Sequence, residues 1–152
     1  MKLIITEEQY RLIIENEDSK NLIDLTSFEN LKPSALDDMF LHINKKKGGK
    51  YDGYYIDGDL DLYEREADVT TLDYLVKVGG NLYLANTKIE SLPRLTEVGG
   101  FLNITKTKIK SLPKLSSVGG YLALLFTPLS KKISKEELEK QINVGREIYL
   151  WN

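Results

Sequence analysis

The chain has 152 residues, 41% hydrophobic and 29% charged, which suits one globular domain with a single core and is far from the composition of a disordered chain. It has no cysteine, which excludes disulfides, thiolate metal sites and thiol nucleophiles and fits a reducing cytoplasm; no run reaches the roughly 18 apolar residues of a membrane span, and the apolar start stops at Thr6, so no signal peptide is expected. The net charge of -2 conceals two opposed halves, since residues 1–70 hold 9 basic and 16 acidic side chains and residues 71–152 hold 12 and 7.

Residues 1–50 carry no repeat and are expected to form a helical cap. Thr6 and Gln9 have the spacing of a capping box, flanked by Ile5 and Tyr10, so a helix over about residues 7–16 is expected. A second helix should follow Ser34, where Leu36, Met39, Phe40 and Ile43 fall on one face, and should stop at Lys45-Lys46-Lys47 before Gly48-Gly49. That apolar face is expected to cover the first repeat, because an end repeat otherwise exposes leucines and unpaired backbone.

From residue 51 the chain repeats itself. Val78-Gly79-Gly80, Val98-Gly99-Gly100 and Val118-Gly119-Gly120 recur every 20 residues, each followed by Leu-x-Leu or Leu-x-Ile and, five residues after the first Leu, by Thr87, Thr107 or Thr127. The alternation in Leu82-Tyr83-Leu84 marks a short strand, and Ser91-Leu92-Pro93 and Ser111-Leu112-Pro113 mark a turn onto a return path. A degenerate copy around Gly58-Asp59-Leu60-Asp61-Leu62 precedes the clear ones, with a two-residue insertion in residues 63–68. Another follows at Val144-Gly145-Arg146-Glu147-Ile148-Tyr149-Leu150, giving about five rungs. Ser134 and Glu137 form a further capping box, so residues 134–142 are expected to be a helix inserted before the last strand. Stacked rungs would align Leu82, Leu102 and Leu122 in one interior column, at about 4.8 Å between strands.

The pattern L-x-L-x-x-T-x-I-x-x-L-P-x-L-x-x-V-G-G-x resembles a 20-residue leucine-rich repeat of the short bacterial or phage type, and its Val-Gly-Gly-x-Leu-x-Leu part resembles the receptor L-domain variant. The resemblance covers about residues 56–152. It implies an α/β repeat: a leucine-rich-repeat solenoid over residues 51–152 with one parallel sheet, whose strand face binds partners, usually proteins, and it implies no reaction. Thr87, Thr107 and Thr127 stand where that family places asparagine, which suggests a weaker hydrogen-bond ladder between rungs.

With the leucines inward, the opposite strand face displays Tyr63, Tyr83, Phe101, Asn103, Tyr121, Tyr149 and Trp151. Rigid rings bury much area at little rotamer cost, so these residues are the expected partner-binding site, with a protein as partner. The last strand has no cover in the sequence, and a homodimer through that C-terminal edge is the alternative. Asp57, Asp59 and Asp61 alternate along one strand, but Leu62 stands where a calcium-binding loop needs glycine, and a solvated acidic rung is favoured over a cation site. Arg94, Lys88, Lys106, Lys108, Lys110, Lys114, Lys131, Lys132 and Lys135 form a basic loop flank, off the aromatic face of an acidic chain, so nucleic acid is not the expected partner. His42, the one histidine, has no partner in sequence. No catalytic residue, metal or cofactor is assigned, and the expected function is non-enzymatic.

Overall fold

The computed structural model describes residues 21–26, 34–63 and 70–150. The helix expected over residues 7–16, most of the insertion in residues 63–68, and Trp151 lie outside them. The first elements among the described residues are strand β1 (Leu22–Asp24), helix α1 (Ser34–Lys46) and strand β2 (Gly53–Ile56), and β1 and β2 are parallel neighbours. Helix α1 forms where the apolar spacing places it and buries Leu36, Met39, Phe40 and Ile43. It ends at two lysines and a Gly48-Gly49 pair whose φ values of 86° and 73° only glycine adopts freely.

The repeats then run as β3 (Leu60–Asp61), β4 (Leu75–Val78), β5 (Leu82–Tyr83), β6 (Glu97–Val98), β7 (Leu102–Asn103), β8 (Ser117–Val118) and β9 (Leu122–Ala123). A 3-10 turn at Leu129–Lys131, helix α2 (Lys135–Gln141), β10 (Asn143–Val144) and β11 (Ile148–Tyr149) complete the order. Ser134 caps α2 in the expected box: its hydroxyl accepts from the Glu137 amide, and the Glu137 carboxylate accepts from the Ser134 amide. Among the described residues no helix is long and apolar enough to cross a membrane.

The single-sheet leucine-rich-repeat solenoid is overturned. The strands form two parallel sheets, one of six strands in the order β1-β2-β4-β6-β8-β10 and one of five in the order β11-β9-β7-β5-β3. The five-stranded sheet holds the Leu-x-Leu segments, with Leu60, Leu82, Leu102, Leu122 and Ile148 in register. The six-stranded sheet is built from the residues just before each glycine pair, which that family pattern treats as connecting loop. There the Gly99 amide donates to the Val78 carbonyl at 2.8 Å and Gly119 to Val98 at 2.9 Å, so hydrogen bonding is as regular as on the opposite side. These strands escape a sequence reading because Glu97-Val98 and Ser117-Val118 are too short to alternate and lie between two turn signals. The segment ahead of the repeats supplies strand β1 of the six-stranded sheet as well as helix α1, rather than a purely helical cover. The bacterial or phage origin implied by the family resemblance loses its support with the family.

Each rung wraps a slice of the core between the two sheets. The one starting at Leu82 buries Leu82, Leu84, Ile89, Leu92, Leu95 and Val98, at about 1.5–3 kcal/mol for each side chain removed from water. Thr87, Thr107 and Thr127 are also buried, and their hydroxyls do not bridge rungs. Each donates to the carbonyl three residues back in its own rung, Leu84 at 2.6 Å, Ile104 at 2.7 Å and Leu124 at 2.9 Å, closing the turn after the strand. The residue before each threonine is left-handed: Asn86, Lys106 and Phe126 have φ of 60°, 56° and 56°. Asparagine tolerates that conformation, whereas lysine and phenylalanine carry a cost of about 1–2 kcal/mol.

The first glycine of each pair is demanded by proximity. Its φ is not in the left-handed region, but a Cβ on Gly99 would collide with the Gly79 carbonyl, and one on Gly119 with the Gly99 carbonyl. Gly145 repeats this against Gly119, so the column runs to the last rung.

Candidate functional site

The outward face of the five-stranded sheet carries three columns set by strand register. The residue before each strand gives Asp59, Asn81, Phe101, Tyr121 and Glu147; the second strand residue gives Asp61, Tyr83, Asn103, Ala123 and Tyr149. The third column begins at Tyr63 and continues through Ala85, Thr105 and Leu125, and Trp151, its expected end, is outside the described residues. Six of the seven residues expected to bind a partner are therefore described, and all six sit on this face. Tyr63 and Tyr149 are each 46% exposed, and Tyr83, Phe101, Asn103 and Tyr121 are half-buried.

The second glycine of each pair shapes the first column. A Cβ on Gly80 would strike the Asp59 carboxylate, one on Gly100 the Asn81 amide, and one on Gly120 the Phe101 ring. Those glycines let each side chain lean over the corner of the next rung. There Asp59 Oδ1 accepts from the Asn81 amide and Asn81 Oδ1 from the Phe101 amide, both at 2.7 Å. Beyond Asn81 the amide chain gives way to rings: Phe101 and Tyr121 have centroids 4.9 Å apart, and Tyr121 and Tyr149 are 5.6 Å apart, both tilted. In the last rung Arg146 occupies the register of Gly120, and its guanidinium carbon lies 5.6 Å from the Tyr121 ring centroid. Arg146 is the site residue that sequence reasoning missed, and its signal was the loss of the second glycine in the last rung, as Asp57 replaces the first glycine in the first.

The other end of the face differs. Asp61, Tyr63, Tyr83, Ala85 and Asn103 line an open depression of about 260 Å³. Asp61 Oδ1 accepts from the Tyr63 amide at 2.8 Å and Asn103 Oδ1 from the Thr105 amide at 3.1 Å. Neither Tyr63 nor Tyr83 makes a ring contact among the described residues, so the faces of both rings are unspent.

Asp57, Asp59 and Asp61 do not converge: among the described residues no group of three or more acidic or histidine side chains could hold a metal ion. The basic flank is partly neutralised, with Lys108 3.9 Å from Glu90 and Lys135 paired to Glu147. Arg94 donates to the Asp73 carbonyl at 2.8 Å and stacks 4.7 Å from the Tyr74 ring. The Lys135 contact holds the Glu147 carboxyl below its usual range, chiefly through their hydrogen bond, and ties α2 to the last rung. His42 is exposed on α1.

No protein-family model, curated protein or solved structure matches this chain.

Proposed function

We propose that the chain is a non-catalytic binding module that engages a protein partner with the aromatic face of its five-stranded sheet. The observation that carries this reading is the row of partly exposed rings, Phe101, Tyr121 and Tyr149, held against one another and against Arg146 over a rigid stack of rungs. Rings already ordered by their neighbours lose little further entropy on contact, and aromatic residues with arginine are the side chains that dominate binding energy at protein interfaces. A peptide-display selection on the immobilised protein tests it. Replacing Tyr83, Phe101 and Tyr121 together by Ala should weaken the selected binders at least tenfold while the circular dichroism spectrum is kept; unchanged affinity rejects the site.

Self-association is a second reading, favoured by one observation: β10 and β11 are the last strands of their two sheets, so the final rung presents both edges together. Light scattering over a concentration series decides it, and a monomer at every concentration removes it.

A further inference from the structure

The aromatic face has two unlike ends, and the end at the first rungs has the chemistry of a cation acceptor. We infer that the depression lined by Asp61, Tyr63 and Tyr83 receives a single basic side chain, lysine or arginine, of the protein partner; this rests on the proposed use of the face for binding. Three independent features converge there. Asp61 spends one carboxylate oxygen on the Tyr63 amide and has no other partner among the described residues, leaving its second oxygen to accept. Among the described residues the rings of Tyr63 and Tyr83 are in contact with no other ring or cation, unlike those of Phe101, Tyr121 and Tyr149, and a ring face attracts an ammonium or guanidinium group within about 6 Å. The depression, about 260 Å³, lies below the roughly 300–1,000 Å³ of pockets for small-molecule ligands and cofactors, and so suits one side chain.

The surrounding charge points the same way. Asp59 lies in the neighbouring column of the same rung, and its carboxylate adds to that of Asp61 in drawing a basic group toward this end and repelling an acidic one. Arg146 at the far end of the face has the opposite effect, so a partner segment would lie with its basic residue over Tyr63 and Tyr83 and its uncharged part toward Tyr149.

The test uses the whole chain and three small probes, n-butylammonium, n-butylguanidinium and the neutral n-butanol, titrated while backbone amide resonances are followed by NMR. The two cations should shift the amides of Tyr63, Tyr83 and Asn103 with millimolar affinity, weakening as salt is raised, and butanol should bind at least tenfold more weakly. Asp61→Asn keeps the acceptor for the Tyr63 amide and removes the charge; it should weaken the cations at least fivefold and leave butanol unchanged. Equal binding of butanol and the cations, or cation binding indifferent to Asp61→Asn, overturns the inference. A display-selected peptide lost on the Tyr83, Phe101 and Tyr121 triple variant but indifferent to Asp61→Asn also overturns it, while leaving the protein-binding reading intact.

Discussion

The two sheets share one core and one set of corners, yet their outward faces carry different side chains. On the six-stranded sheet the register places Lys77, Glu97, Ser117 and Asn143 in one column, and Lys77 pairs with Glu97 at 3.5 Å. Such an exposed pair contributes between nothing and about 1 kcal/mol and keeps the face wetted. On the five-stranded sheet the corresponding positions hold tyrosine, phenylalanine and asparagine. Over the repeats from Glu97 onward the strands are two residues long on both sides, so there the difference lies in the side chains. One side is finished as a surface, and the other is left able to bury more apolar area. The six-stranded side is also the one that α1 and β1 extend, through Phe40 packed 4.9 Å from the Tyr74 ring centroid and through Asp37, which accepts from the Asp73 amide at 2.8 Å and the Tyr54 hydroxyl at 3.0 Å.

The corner between the sheets is where the largest effect is expected. Gly119→Ala places a Cβ against the Gly99 carbonyl, and neither backbone can move without shifting a whole rung. A loss of about 3 kcal/mol in urea unfolding is expected, with both faces melting in one transition. A variant as stable as the parent would mean that the rungs are not packed this closely, and two separate transitions would mean that the sheets stand independently.

A smaller change should act on the five-stranded side alone. Thr107→Val keeps the shape but leaves the buried Ile104 carbonyl without its hydroxyl donor, costing about 1–2 kcal/mol. The amide of residue 107 still reaches that carbonyl at 3.2 Å, so the turn should persist and the loss should appear as stability without a change of fold. Hydrogen exchange faster in the six-stranded sheet than around residues 102–107 would contradict the assignment.

The smallest effect belongs to the six-stranded side and depends on pH. Burial raises the Asp37 pKa above its ordinary 3.8, against the opposing hydrogen bonds from Asp73 and Tyr54. Below 3.8 the group is neutral in both folded and unfolded chains. As pH rises from 3.8 through the raised value, the unfolded chain releases its proton more readily, so the parent loses stability, and above that value the loss is constant. The melting temperature of the parent relative to Asp37→Asn should therefore fall across that window and then level off. A flat difference would show that Asp37 is not desolvated in the folded state.

The elements legible in the sequence are those whose cause is local. Helix α1 could be placed because Leu36, Met39, Phe40 and Ile43 share a face, and α2 because Ser134 and Glu137 satisfy each other's backbone. Three strands of the five-stranded sheet followed from a fixed 20-residue repeat and the first and last from degenerate copies of it. The aromatic face could be named because side chains alternate along a strand. The second sheet was not legible, and neither was β1 at Leu22–Asp24: a parallel ladder of strands two to four residues long is made by neighbours 20 or more residues away, and no local alternation announces it. The family resemblance failed at the same point, since it assigned those residues to loops. Within the site, Arg146 was visible only as an exception to the glycine column, and the depression at Tyr63 and Tyr83 could not be foreseen because it depends on which rings remain unpaired.

By itself the sequence determined the repeat length, the inward leucines, the glycine corners, helix α1 and the capped helix α2, since each is set by spacing along one chain. Only the tertiary structure decided that the rungs close into two sheets, that the threonines bond within their own turns, and that the glycines serve close approach instead of left-handed geometry. Those outcomes depend on how closely one rung stacks on the next, where a backbone carbonyl leaves no room for a single methyl group.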